Sequence, residues 1–587
     1  MPALDLTSAW QTLVPFPLPR FASNWMSRWL GLQQIEAIYA ARNETQPLTE
    51  QLLNALEVQY SVTPRDMEFI PREGATVVVA NHPFGVLEGA LLASVLGRLR
   101  PDVRILAHGV LSVIPEIRQQ LLTVDPMGGA AATKANPRGL RQALEFLAGG
   151  GLLIVFPAGE VSHYQWRRNA VEDAEWQPSV ARLLRLLRRR EVDVQVVPAF
   201  VSGQNSVLFH TAGLVHPRLR TALLARELVN KRRCAVTLRF GRPVAAERLE
   251  SLATDQERIA YLRWRTYLLA GRGEAAPGSA PLLAPVADAL PVEALRADVA
   301  RLTPLVSSGS LGVYLARAAE LPHVLPEIAR LREITFRAAQ EGTGAAQDRD
   351  VFDETYWHLF VWNKDRGEVV GAYRLAGTDE TPALYTQTLF RYGPDLLQRL
   401  GPSLELGRSF VRLEYQRSFS ALLLLWKGIG EFIGRNPRYR VLFGPVSISQ
   451  QYGSVSRQLM VAFLQRDAWW KELAALVTSR RPFARGSVAL PAAVRDFEEV
   501  SALVAELEPT AAGVPVLLRQ YLKLGGRLLG FNVDPSFANA LDGLIVVDLL
   551  ATEPRLLNRY LGPDAAARFL AHQKGTSHGT HPGVFDG

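Results

Sequence analysis

One cysteine, Cys234, is all that this chain of 587 residues carries. That excludes a disulfide framework and a thiolate metal cluster, and it suits a reducing compartment. Cys234 lies in the strand-like run "CAVTLRF" and reads as a core residue. Long apolar runs are missing as well. "ALLLLW" (421–426) is among the longest, far short of the roughly 18 residues that a membrane-spanning helix needs. The chain is therefore expected not to cross a membrane. The opening "MPALDLTSAW" lacks the basic start and apolar core of a signal peptide. Absent too are a Gly-x-Ser-x-Gly elbow, a Walker loop, a helix-turn-helix, a zinc finger and an aromatic ribonucleoprotein signature. Serine hydrolase, nucleotidase and nucleic-acid readings lose their support, and no metal site is expected.

What is present points to two globular domains, since a chain this long outgrows one core. The net charge of +8 favours acidic partners such as anionic headgroups or an acidic protein. Between residue 65 and about 245, the strand-like runs "ATVVVA", "VRILAH", "LLIVFP", "VQVVPAFV" and "AVTLRF" alternate with helical stretches. This predicts an α/β domain with its site on the loops. One helix is punctuated by Asn136 as N-cap, Pro137 in its first turn and Gly149–Gly151 as its stop. Residues 273–292 are rich in Ala and Pro and read as a linker; the strand "LGVYLAR" (311–317) and a helix over 325–339 open the second domain. The expected division is 1–45 as an amphipathic membrane-proximal segment, 46–272 and 293–572 as domains, and 573–587 as a disordered tail. In the first segment Trp25 and Trp29, with Arg20 and Arg28, suit either an interfacial helix or one packed on its own domain. "RLLRLLRRR" (182–190) is a second basic and apolar stretch.

The stretch with most chemistry is "VVVANHPFGVLEGA" (77–90), where a buried strand stops at a histidine with a glutamate six residues on. His82 held by Glu88 would be a general base with its orienting acid, suited to taking the proton of an alcohol as it attacks a thioester. A histidine before proline is also an ordinary turn residue. "FPAGEVS" (156–162) and "VVPAFVSG" (196–203) end two further strands, so three strand ends make one rim. His163 is a rival base without an acid at fixed local spacing.

These elements resemble the glycerolipid acyltransferases of the lysophosphatidate acyltransferase superfamily over roughly residues 50–245. His82…Glu88 stands for the family's His-x4-Asp, with the acid one residue later and Glu for Asp. Phe156-Pro157-Ala158-Gly159 stands for "FPEG", and Val197-Pro198 for its late Val-Pro segment. The resemblance implies His82 and Glu88 as catalytic, and Phe156, Pro157, Gly159 and Glu160 as substrate-binding. Where the family places a phosphate-binding arginine, this chain has "LLTVDPMGG" with Asp125, which also serves as a turn former before Pro126. An acceptor without that phosphate, or with a cationic headgroup, fits better.

In the other half, "LELGRSFVRLEYQ" (404–416) reads as a strand with Glu405 on one face and Arg408 on the other. By itself that suits a salt-bridged strand. Together with "LREITFRAAQEG", "FDETYWHLFV", "VVGAYRLA", "GPVSIS" and "VPVLLRQYLKLGG", it resembles the ornithine N-acyltransferases of the GNAT-like group over about residues 305–550. Trp357 precedes His358 where that family often has an aspartate. The resemblance implies Glu405 as the base for the amine's proton, with Arg408 and Ser409 lining the substrate site. No pyrophosphate-cradling loop of the coenzyme A type is evident beyond the faint "QQYGSVS" (450–456).

Both resemblances in this order are those of the bifunctional ornithine lipid synthases. The expected fold is an N-terminal glycerolipid-acyltransferase-like α/β domain and a C-terminal GNAT-like α+β domain. The expected chemistry is N-acylation of ornithine by a 3-hydroxyacyl group, then O-acylation of the lyso-lipid. No bound cofactor is expected. The donor is acyl carrier protein, an acidic partner, or acyl-CoA, and the enzyme would sit peripherally on the anionic cytoplasmic face of a bacterial inner membrane. The same architecture would serve glycine or lysine. A lysophospholipid acyltransferase with a non-catalytic lipid-binding C-terminal domain and a membrane-associated scaffold with decayed sites are the other readings.

Overall fold

A computed structural model describes residues 26–576 except 44, 125–129, 216, 274–282, 418, 485 and 487. The chain divides into two compact units, one of Met1–Arg272 with Pro491–Ala493, the other of Gly273–Leu490 and Val494–Gly587. Asp125, Arg20 and Trp25 lie outside the described residues, as do most of the amphipathic segment and of the expected tail.

The strands of the first unit are β1 (Gln59–Ser61), β2 (Ala75–Ala80), β3 (Val103–His108), β4 (Leu121–Val124), β5 (Leu152–Val155), β6 (His163–Gln165), β7 (Ala170–Glu172), β8 (Val194–Val201) and β9 (Ala235–Phe240). Seven form one sheet in the order β1-β9-β8-β2-β5-β3-β4, and β6–β7 is a separate hairpin. All neighbours in the sheet are parallel except β8–β9. β2 and β5 are buried along their whole length, which is why their sequences are unbroken apolar runs rather than alternating ones.

One expectation is corrected here, and two others gain detail. The helix expected from Asn136 runs over Ala130–Ala148, so Asn136 is not its N-cap; the alanine-rich run ahead of it has enough helix propensity to absorb the one bond that Pro137 forfeits. The stretch "RLLRLLRRR" serves packing in part: in the helix Ser179–Arg188, Leu183 and Leu187 are buried, while Arg185 and Arg188 pair with Asp255 and Glu250 of the same unit at 2.8 and 3.0 Å. The later part of the Ala/Pro-rich stretch is bonded down, Ala284 and Ala287 donating to the carbonyls of Gly344 and Ala346 at 2.8 and 3.0 Å.

The second unit holds β10 (Val306–Ser308), β11 (Leu311–Arg317), β12 (Trp357–Asn363), β13 (Glu368–Gly377), β14 (Phe390–Tyr392), β15 (Ser403–Val411), β16 (Val441–Ile448), β17 (Val477–Ser479), β18 (Arg527–Asp534) and β19 (Ala540–Asp548). Eight make a sheet ordered β10-β11-β12-β13-β15-β16-β19-β18, and β14 pairs with β17. Tyr373 of β13 meets Trp426 of the helix Phe419–Arg435 edge to face. Its neighbour Arg374 shares Asp353 with Arg332 of the helix Val324–Ala338. Adjacent strand residues point to opposite faces, so the two helices cover opposite sides of the sheet.

Two irregularities shape this unit. β15 and β16 are the one parallel pair in the sheet, and their register ends at Glu405↔Phe443 although both strands run on; past that point they diverge. Next to it β15 carries a bulge. Ala372 pairs Phe410 and Arg374 pairs Gly407, so Arg408 and Ser409 together oppose Tyr373, and Arg408 takes a left-handed φ of 49°.

Candidate active sites

In the first unit the site forms where β2 and β5 end side by side. Val79 pairs with Val155, so Phe156, the next residue, and His82, three beyond Val79, come together and their rings stack at 4.4 Å. Asn81 locks the exit from β2: its side chain donates to the Val201 carbonyl at 2.9 Å and accepts the Val201 N–H at 2.7 Å. His82 Nδ1 lies 2.7 Å from Glu88 Oε1, a charge contact without the alignment of a good hydrogen bond. The contact is therefore strongest when the imidazole is charged. Glu88 is fully buried and also accepts the N–H groups of Phe84 (2.9 Å) and Gly85 (2.8 and 3.0 Å). Gly85 is required: its φ is +112°, and a Cβ there would stand 2.8 Å from Leu224.

Burial works against protonating His82, but the Glu88 carboxylate and then Asp173 outweigh it, and the imidazole pKa is raised above its ordinary value. For Glu88, burial is outweighed by His82 and the two backbone donors, and its pKa is lowered. The sequence hid Asp173. It accepts the His82 N–H at 3.1 Å, the Ser162 hydroxyl and the Trp176 indole N–H (2.8 Å), while Ser162 N–H donates to the His82 carbonyl at 2.8 Å. No spacing signal links residues 91 apart in the chain.

The other expected residues divide. Phe156 stacks on His82. The Pro157 carbonyl accepts the Gln177 N–H at 2.8 Å, and Gly159 closes a turn onto Phe156 at 3.1 Å, so both shape the rim. Glu160 is exposed and ion-paired with Arg220 at 2.9 Å. Val197 and Pro198 lie inside β8. His163, its pKa lowered by burial and then by Arg220, contacts Val161 O and Gln165 and, among the described residues, pairs with no carboxylate, whereas His82 faces Glu88.

In the second unit Glu405 is buried, and its carboxylate accepts four donors: the Tyr356 hydroxyl, Tyr385 N–H (3.1 Å), Thr386 N–H (2.8 Å) and the Thr386 hydroxyl. Tyr392 in turn donates its hydroxyl to Thr386 Oγ1 at 2.5 Å. Arg408 does not face away from this group, as strict alternation required. The extra residue in the bulge resets the alternation, and its guanidinium lies 4.9 Å from the Tyr385 ring and 4.8 Å from that of Phe537. Ser409 sits beside it opposite Tyr373. His358 is structural: burial pushes its pKa down to about 4, and Nε2 meets the Asp353 carbonyl at 2.8 Å.

A histidine–carboxylate pair at the strand ends of an α/β sheet and a sheet that splays beside a buried glutamate lie in one chain, and its likeness to known proteins makes that chain an acyltransferase. Residues 11–276 match the family described as acyltransferase, and residues 331–427 match the acetyltransferase (GNAT) domain. A glycine N(alpha)-acyltransferase of Bacteroides thetaiotaomicron is 31% identical over 270 residues, 42% of this chain and 80% of that enzyme. The chain belongs to the same acyltransferase family as that enzyme. A lyso-glycine lipid O-acyltransferase of the same organism is 23% identical over 264 residues, 43% of this chain and 91% of the other. FeeM, an N-acyl amino acid synthase from uncultured soil microbes, aligns with a TM-score of 0.23 at 8% identity, over 43% of this chain and 95% of that one.

Proposed function

We propose that the protein makes an ornithine lipid in two acyl transfers. The observation that carries this is the presence of two separately built sites, the His82–Glu88 pair in one unit and the Glu405 group beside the splayed strands in the other. In the first transfer the α-amine of ornithine attacks a 3-hydroxyacyl thioester, the C–N bond forms and the thiolate leaves. Both oxygens of Glu405 are occupied, so the amine's proton reaches it through hydroxyls, and Tyr392–Thr386–Glu405 is an ordered path. In the second transfer His82 Nε2 removes the proton of the lyso-lipid hydroxyl as that oxygen attacks a second thioester, then hands it to the leaving thiol. Glu88 holds the other ring nitrogen and stabilises the imidazolium. Joining both sites in one chain raises the effective concentration of the intermediate.

Acyl carrier protein is the proposed donor. The net charge of +8 suits an acidic partner, and the N–H of Gly453, which precedes the helix Ser454–Asp467, is taken by Glu508 at 3.0 Å. A carboxylate there repels a pyrophosphate. A glycine lipid is the second reading, favoured by what the two Bacteroides thetaiotaomicron relatives act on. Expression in a host without aminolipids tests both: a doubly acylated, ornithine-containing lipid is expected, and a glycine-containing one in its place would establish the second reading.

The raised pKa of His82 sets a pH dependence. A general base acts when neutral, so O-acylation is expected to fall as pH drops, with its acid limb above the ordinary imidazole midpoint of about 6.5. Glu88→Gln removes the main charge holding the proton and leaves burial opposed by Asp173 alone, so the limb should move to lower pH while the plateau falls. A limb that does not move in pH–rate profiles of the two proteins would remove Glu88 from this role.

No described helix is long and apolar enough to cross a membrane. Peripheral contact with the inner membrane's cytoplasmic face is proposed instead through Trp29, Val207, Leu208, Leu214 and Leu219, large apolar side chains exposed in the first unit. Arg226 lies over the Trp29 ring at 4.1 Å, while Leu30 and Leu32 pack inward. Replacing Val207, Leu208 and Leu214 by serine should weaken binding to anionic vesicles at least about tenfold, at roughly 0.8 kcal/mol per buried methylene. Unchanged sedimentation with vesicles would remove this patch as the contact.

A further inference from the structure

Arg332, Arg374 and Arg408 form a closed network with Asp348, Asp350 and Asp353. Arg332 meets Asp353 at 2.9 Å and Asp348 at 3.8 Å, and Arg374 meets Asp350 at 2.6 Å and Asp353 at 3.2 Å. Arg408 meets Asp348 at 3.2 Å and Asp350 at 3.8 Å. Three guanidiniums and three carboxylates balance. Three more carboxylates, Glu341, Asp534 and Asp542, are grouped at the Arg408 end, and among the described residues none of them has an ion pair.

The strand register brings these acids together. Asp542 of β19 stands opposite Ser447 of β16 and Asn532 of β18, and Asp534, two residues beyond Asn532, shares that face. Ser447 donates its hydroxyl to Glu341 Oε2 at 3.0 Å, and Asp534 Oδ1 accepts the Ser536 N–H at 2.9 Å. Asp542 is 5% exposed, and among the described residues its carboxylate takes no hydrogen bond. A buried carboxylate without a donor is costly unless it is protonated or receives a cation. Arg408 also makes no hydrogen bond among the described residues, its guanidinium lying close to the Tyr385 and Phe537 rings.

We propose that Asp542, with Asp534 and Glu341, is the pocket that receives the side-chain ammonium of a diamino-acid substrate, with Arg408 as the neighbouring cation for its carboxylate. This rests on the amino-acid N-acylation reading above and adds the residues that choose the headgroup. Burial, then Asp534 and Glu341 as like charges, raise Asp542 well above the usual carboxylate range, and burial pushes Glu341 up to about 7. An ammonium placed among these acids would displace the protons that burial favours there. Glycine brings no second cation and leaves the acids unpaired.

The test uses the purified full chain with hydroxyacyl carrier protein and, in turn, ornithine, lysine, Nδ-acetylornithine and glycine. Wild type is expected to prefer ornithine to Nδ-acetylornithine and glycine, and Asp542→Asn to lose about 10–100-fold of that preference through KM, with Glu341→Gln losing less. Folding has its own readout. Native Asp542 keeps its proton where the unfolded carboxyl has lost it, so wild-type stability falls as pH rises above the ordinary carboxylate range. Asparagine removes that fall, and Asp542→Asn should melt no lower than wild type near neutral pH. An ornithine preference that survives in Asp542→Asn overturns the pocket and leaves the acylation reading standing. Wild type that turns over glycine as well as ornithine overturns both the headgroup choice and the pocket. If no amino acid is acylated, the acylation reading fails, and calorimetric titration of ornithine decides the pocket: equal affinity in Asp542→Asn, or no binding in wild type, overturns it.

Discussion

His82→Ala stops O-acylation and spares N-acylation, so a singly acylated, ninhydrin-positive lipid accumulates: that is the expected result with the largest effect. The reason lies in how completely the loop is organised around one imidazole. Asn81 pins its approach, Asp173 holds its backbone N–H, Phe156 lies against its ring and Glu88 faces Nδ1. Removing a positioned general base costs about 100–10,000-fold in rate, or about 3–5 kcal/mol of transition-state stabilisation. The Glu405 group lies in the other unit, so the first transfer proposed for it is expected to be kept. Thin-layer chromatography of labelled lipids from cells carrying each variant reads the outcome directly, and doubly acylated lipid at the wild-type level would take the base role from His82.

The second large effect is at Glu405. Glu405→Gln is expected to lower the first transfer by about 100–10,000-fold, while the variant still O-acylates lyso-lipid supplied from outside. Glutamine preserves the volume and one acceptor oxygen, but its amide nitrogen would face donors among Tyr356, Tyr385 and Thr386, costing about 1–3 kcal/mol of stability. The melting temperature therefore has to be measured beside the rate. A folded variant that makes lyso-lipid at the normal rate would leave Glu405 as the anchor of the Tyr385–Thr386 segment and nothing more. Tyr392→Phe gives the finer reading: a drop in N-acylation with unchanged stability supports the hydroxyl path, since Tyr392 meets Thr386 and not Glu405.

How legible each element was depends on how local its signal is. The strand over residues 311–317 came out with the same bounds as β11, because its apolar pattern and flanking turns are local. The helix from Asn136 did not, since a cap signal competes with the propensity of whatever precedes it. "RLLRLLRRR" shows a different limit. Its leucines and arginines have the periodicity of a membrane-surface helix, yet the same pattern serves a helix that buries leucines in its own domain and pairs its arginines with Asp255 and Glu250.

By itself the sequence determined two domains in order, with the transfer chemistry implied by resemblance alone, and it determined that His82 and Glu88 share one short loop at the end of a buried strand. Those are properties of neighbours in the chain, set by periodicity, capping and turn chemistry. The tertiary structure alone decided the company these residues keep. The β2–β5 register brought Phe156 to His82, and the β6–β7 hairpin leads into Asp173, which lies beneath the same loop. One extra residue in β15 turned Arg408 toward the Tyr385 ring. The pairing of β16, β19 and β18 gathered Asp542 and Asp534 with Glu341. Charges far apart in sequence acquire their energies from strand register and burial, and neither is written in local spacing.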